Sequence, residues 1–229
     1  MTIIQNIWKV LQRYPNLFLV GTGYTLLLSA ITVVFSSFFG SLLAIMRRSR
    51  LHIGKFYPLR FIGTIYVEIV RGTPMLLQLY FFYFLLPAVL PFLELTDFQS
   101  ITVACIVNST AYVAEIIRGG IMAVDEGQNE AGRSLGLNFA QTMLYIIIPQ
   151  ALKNVLPALA NEFIVLLKET SVACYVAVND LTKGGEIIRS QTYIQAMPLL
   201  IVAALYLIMV VFFSHLVSKL ERRLRSSDH

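Results

Sequence analysis

Ionisable and amide side chains inside otherwise apolar stretches are the residues of this sequence best placed to do chemistry. Glu162 and Glu169 stand seven apart, on one face of a helix, with Asn161 and Lys168 forming the adjacent stripe. Asn108 and Glu115 repeat that spacing in an earlier stretch, and Gln78 lies in another. Polar groups at membrane depth are costly, so they either line a polar pathway or pair with one another. A carboxylate there can accept from a cationic group, and an amide can serve either sign. Glu162 and Glu169 stay open to both readings, with Lys168 as a neighbouring partner. Glu115 has a local partner three residues on, in Arg118.

Nothing resembles a catalytic or metal constellation. Gly54-Lys55 lacks both the earlier glycine and the following Ser or Thr of a phosphate loop. Gly21-Thr22-Gly23 is not followed by the third glycine of a dinucleotide fingerprint. His52, His215 and His229 are scattered, and Cys105 and Cys174 lie within apolar runs without ligand spacing. The expectation is a chain with no catalytic residues, no metal site and no cofactor of its own.

The elements that must hold these residues follow from composition. The 229 residues are 57% hydrophobic and 14% charged, with a mean hydropathy of +0.71. Soluble domains carry roughly a quarter charged residues. Here the charges gather in short islands between apolar runs of about 20 residues, the length that crosses a bilayer core as a helix. Helices satisfy their own backbone groups without water, and barrel-type alternation is not seen. An all-α polytopic membrane protein with about five spans is expected, as one domain over residues 1–229. The spans fall at about 17–46, 73–90, 98–117, 152–178 and 196–217.

Residues 1–16 read as an amphipathic lead-in, with Trp8 and Tyr14 suited to an interface. It is no signal peptide, because Lys9 and Arg13 interrupt it and the apolar run beyond is too long. Gly21, Gly23, Ser29, Ser36, Gly40 and Ser41 give the first span small residues for close packing. Arg60, Thr64, Glu68 and Arg71 share one helix face, which suits an interfacial helix broken by Gly72-Thr73-Pro74. Gly119-Gly120 offers a stop to the third span.

The net charge of +5 is placed for topology rather than for nucleic acid. Arg47, Arg48, Arg50, Lys55 and Arg60 follow the first run, and Lys219, Arg222, Arg223 and Arg225 follow the last. Both islands belong inside, which puts the C-terminus in the cytoplasm and the N-terminus outside. The polar stretch 119–149 then becomes a long cytoplasmic loop holding one or two short helices.

In that loop Glu130-Ala131-Gly132, Gly136, Ile146 and Pro149 resemble the "EAA" loop of binding-protein-dependent ABC importer permeases. The family pattern is Glu-Ala-Ala, three residues, Gly, nine residues, Ile, one residue, Leu, Pro. This chain has Gly132 for the second Ala and Ile148 for Leu, both conservative in size or character. Glu68 through Gln78, containing Arg71-Gly72-Thr73-Pro74, resembles the "RGTP" segment of polar amino-acid permeases. Ala111 through Gly120, Gly127-Gln128, Ser134-Leu135-Gly136, Pro149 through Leu152 and Leu167 through Ser171 continue the likeness in order.

The resemblance implies a type I ABC importer permease fold in a bacterial plasma membrane. It implies two ATPase subunits carrying ATP and Mg²⁺, a second permease chain, identical or paralogous, and an extracytoplasmic amino-acid-binding protein. Glu130, Ala131, Gly132 and Gly136 become a coupling helix, the small residues allowing close approach and Glu130 lying near the helix start. For a zwitterionic substrate, Glu162 and Glu169 would accept from the ammonium group, with Asn108 and Thr73 lining the same cavity. The rival from another class is an ion-coupled secondary transporter or channel, with Glu162, Lys168 and Glu169 as a relay.

Overall fold

The computed structural model describes residues 3–49, 51–176 and 178–225. Arg50 of the first basic island, Ala177 of the expected fourth span and His229 lie outside the described residues, as does the side chain of Arg225. The described residues form helices and turns, with one isolated bridge between Ile53 and Phe56.

Among the described residues, four helices are long and apolar enough to cross a membrane: Pro15–Arg48, Asp97–Met122, Phe139–Tyr175 and Met197–Leu224. Pro58–Gly72 and Met75–Val89, separated by a sharp break, make a fifth if counted as one broken span. Helix α1 (Ile3–Arg13) precedes α2 (Pro15–Arg48), with Tyr14 alone between them. At 1.5 Å per residue α2 reaches about 50 Å, longer than a hydrocarbon core.

Helix α3 (Pro58–Gly72) carries the Arg60–Arg71 stripe. Pro74, extended at φ −63°, ψ 138°, stands just before α4 (Met75–Tyr80). The expected second span is not one regular helix. After α4 comes a π turn, Phe81–Leu85, and then α5 (Leu86–Val89).

Helix α6 (Asp97–Met122) runs through Gly119-Gly120 rather than stopping there. A Cβ on Gly120 would sit 2.3 Å from Val155 Cγ2, so this glycine admits a neighbouring helix instead of ending its own. Next come α7 (Glu126–Ser134), α8 (Phe139–Thr142) and a second π turn, Met143–Ile147. Helix α9 (Ile148–Glu169) then continues into a 3₁₀ turn, Thr170–Tyr175. Between the fourth and fifth expected spans lies a further helix, α10 (Leu181–Thr192), and the last helix is α11 (Met197–Arg225).

The chain divides into two compact units. One comprises Met1–Val34, Thr73–Ile106 and Phe163–Ser214. Its core joins Val10 and Phe18 to Leu167, Leu181, Ile188, Ile201 and Val202, and a second cluster gathers Leu28, Leu79, Ile101 and Ala173. The other unit comprises Phe35–Gly72, Val107–Glu162 and His215–His229, with Leu43, Ala44, Val67, Val70, Ala111 and Ala114 at its centre. Many large apolar side chains face outward, among them Leu19 at 70% and Ile45 at 68% exposure. In a membrane span such a surface meets lipid or another helix at no hydrophobic cost.

Candidate functional site

Helix α7 is polar and held from one side. Asp125 caps it, its Oδ1 accepting from the Gly127 N–H at 2.7 Å, and Glu126 sits in the first turn where the helix dipole favours an anion. Glu130 is therefore mid-helix, not near the start as expected, because the cap lies five residues earlier. Glu130 and Ala131 are exposed, and so is Leu135, at 80%.

Gly132 and Gly136 have reasons internal to the fold. Gly132 is buried, and a Cβ there would lie 2.7 Å from Thr142 Cγ2 and 3.0 Å from Ile146 Cδ1. Gly136 takes the left-handed conformation, φ +81°, just past the helix end. The Leu137 N–H donates to Gly132 O at 3.1 Å and the Gly136 N–H to Arg133 O at 3.0 Å, the paired closure of a Schellman motif. Directly after it, Asn138 and Gln141 form a capping box that starts α8. Gln150 Nε2 on α9 donates to Gln128 Oε1 on α7 at 3.1 Å. The result is a rigid hairpin whose outer face shows Glu130, Ala131 and Leu135.

Of the polar residues in the apolar stretches, Asn108 and Glu162 are buried in one unit, at 3% and 8% exposure. Ser109 donates to Glu162 Oε1 at 2.8 Å and lies 3.2 Å from Ser36 Oγ. Glu162 is thus a buried carboxyl in a hydroxyl-lined setting. Glu169 is half-buried and Thr73 exposed, and both belong to the other unit. Gln78 Nε2 donates to Thr73 Oγ1 at 2.8 Å.

Two polar clusters went unseen in the sequence. Glu115 pairs with Arg118 as its i,i+3 spacing suggests, but also with Arg47 and, at 3.7 Å, with Arg71. Asp180, wholly buried, caps α10 by accepting from the N–H groups of Thr182 and Lys183, at 3.2 and 2.9 Å, with Tyr206 Oη 3.4 Å away. Burial pushes its carboxyl above the usual range, against the opposing pull of these donors. An Asp ahead of a helical run is a sequence-level cap signal. The Arg47 partnership spans 68 residues and carries none.

Long apolar helices joined by a polar hairpin define a membrane protein, and comparison with known proteins places it. The family described as "Binding-protein-dependent transport system inner membrane component" matches residues 36–226. A relative from Bacillus subtilis (strain 168), "Probable glutamine ABC transporter permease protein GlnM", is 40% identical over 93% of this chain and 95% of its own length. "Arginine transport system permease protein ArtQ" of the same organism is 38% identical, covering 86% and 89%. Among solved structures, "Crystal structure of an amino acid ABC transporter with histidines" superposes with a TM-score of 0.86 at 43% identity, covering 93% of this chain and 96% of that one. The chain belongs to this family, the membrane-embedded permeases of ABC importers. Membership sets aside the ion-coupled transporter that the charged residues alone had left open.

Proposed function

We propose that this chain carries polar amino acids across a bacterial plasma membrane as the permease subunit of an ABC importer. Two ATPase subunits, a second permease chain and an extracytoplasmic binding protein complete the assembly. ATP and Mg²⁺ belong to the ATPase subunits, and this chain contributes no ATP site. The N-terminus lies outside and the C-terminus inside, in keeping with the basic islands after α2 and at the end of α11.

The observation that carries this reading is the hairpin at α7. Gly132 and Gly136 fix its inner side and its end, leaving Glu130 and Ala131 exposed, with Leu135 as an apolar contact beside them. Small and apolar groups on a rigid exposed helix suit a groove in a partner. ATP-driven closure of the partner would bias the permease between outward and inward states through this contact. The names of the relatives, glutamine and arginine permeases, support an amino-acid cargo. Glu162 is the best-supported substrate contact, because it is a buried carboxyl, hydrogen-bonded on Oε1 by Ser109, and a carboxyl is the acceptor that an ammonium group needs. Asn108, Glu169 and Thr73 remain members of the proposed pathway.

Purification from native membranes in mild detergent, with mass spectrometry of the co-purifying chains, tests the assembly. An ATP-binding subunit should appear in fixed ratio and be lost on Glu130→Arg. A chain that purifies alone and takes up substrate on an ion gradient without ATP would overturn the proposal. For the cargo site, Glu162→Gln keeps the acceptor for Ser109 but removes the charge. Uptake affinity should fall about tenfold or more, the worth of one charged hydrogen bond. Unchanged affinity would remove Glu162 from the pathway.

A further inference from the structure

We infer that Glu115 is a positioning residue for energy coupling, tying the ends of three helices to the body that carries α7. The inference rests on the coupling role proposed for that helix.

Glu115 lies on α6, with its side chain 17% exposed. Its Oε2 accepts from Arg118 Nε at 3.0 Å and Nη2 at 2.7 Å, a bidentate clasp within the helix. Its Oε1 accepts from Arg47 Nη1, which brings in the end of α2. Arg71 Nη1, at the end of α3, stands 3.7 Å from Oε2, and its guanidinium lies 5.6 Å from the Tyr112 ring centroid, one helical turn before Glu115. Three guanidinium groups on three helices therefore share one carboxylate. A pair serving stability alone needs one arginine. Here α2 and α3 both reach the two oxygen atoms of one α6 side chain, beside the apolar core the three helices share.

From Glu115 the packing runs on to the hairpin. Five residues later Gly120 lies against Val155 of α9, close enough that a Cβ would reach within 2.3 Å of its side chain. Gln150 on α9 bonds Gln128 on α7, and Gly132 on α7 is closed by Thr142 and Ile146. Every residue of this path belongs to the same compact unit. Closely packed interiors transmit displacement rather than absorb it. A push on α7 thus moves the end of α6, and the ion pairs carry α2 and α3 with it.

The test uses the whole complex, permease with its ATPase subunits, in proteoliposomes, and reads substrate moved per ATP hydrolysed. Glu115→Gln should lower that ratio by about fivefold or more, the lower end of ordinary coupling between sites, while hydrolysis persists. It also leaves three crowded cations, so its thermal midpoint should drop. Arg47→Gln added to Glu115→Gln reduces the charge excess and should regain thermal stability while the ratio stays low. If the single variant does not assemble, the double variant carries the same expectation. A wild-type ratio in either variant, or a ratio that recovers together with stability, overturns the inference. Glu130→Arg separates the two ideas. If it releases the ATPase while Glu115→Gln transports with normal stoichiometry, coupling through α7 stands and only the role of Glu115 falls. If it leaves a coupled complex intact, the reading of α7 falls instead.

Discussion

Gly132 lies so close to Thr142 that a Cβ on the glycine would stand 2.7 Å from the threonine Cγ2. This contact seats α7 on α8. Alanine at 132 gains about 1 kcal/mol of helix propensity, but its Cβ would stand 2.7 Å from Thr142 Cγ2 and 3.0 Å from Ile146 Cδ1, so Gly132→Ala should already lower stability. Valine adds further methyl groups and lacks that gain. Gly132→Val should cost about 1–3 kcal/mol, read as a lower unfolding midpoint in detergent. Wild-type stability with valine would mean that the hairpin is not closed as described.

Ser109→Ala removes the hydroxyl that donates to the buried Glu162 carboxylate. A buried acceptor stripped of its donor costs about 1–3 kcal/mol. Combining Ser109→Ala with Glu162→Ala, which removes the acceptor, should cost less than the sum of the two single losses, since the pair shares one bond. Strict additivity in denaturant unfolding would show that the two side chains act independently.

Asp180 offers a pH-dependent signature. Its folded-state carboxyl titrates above its ordinary value because burial disfavours the charge. The folded state therefore binds the proton more tightly than the unfolded one, and this contribution to stability is lost as pH rises through the folded value. Relative to Asp180→Asn, the wild type should gain stability as pH falls below neutral. Asp180→Ala, which abolishes the cap, should cost about 1–2 kcal/mol. A pH-independent difference between wild type and Asp180→Asn would refute the assignment.

Trp8 is the sole tryptophan, 62% exposed on α1, and α2 begins seven residues after it at Pro15. Aromatic side chains at such a boundary settle at headgroup depth. In bilayers its emission should be blue-shifted from that of tryptophan in water and quenched by lipids brominated near the glycerol. Efficient quenching by an aqueous iodide probe, with water-like emission, would place α1 off the membrane.

The apolar runs were legible because a bilayer demands length and little else, but helix ends and breaks were not: one long helix begins at Phe139, well before its apolar run, and the second run is interrupted by a π turn. The features set by contacts between distant residues were not legible either. Gly119-Gly120 has the composition of a stop, yet the helix continues, and the missing side chain of Gly120 leaves room for Val155. Glu115 has a visible neighbour in Arg118, but Arg47 reaches it only through the approach of α2 to α6. Other signals were present and local. Asp180 before Leu181 and Asn138 three residues before Gln141 are ordinary cap patterns, and each begins a helix. The coupling motif was legible as a spacing, but its physical basis was not. Gly132 and Gly136 shape the hairpin from within.

The π turn at Met143–Ile147 bears on how related sequences should be aligned. A π turn holds one residue more than α-helical geometry needs over the same path. A helical wheel drawn straight from Phe139 to Glu169 therefore misplaces every residue on one side of the turn by about 100°, one residue's rotation. Homologous chains shorter by one residue belong with their gap at this turn, where the deletion restores a regular helix and leaves the faces of α8 and α9 in register.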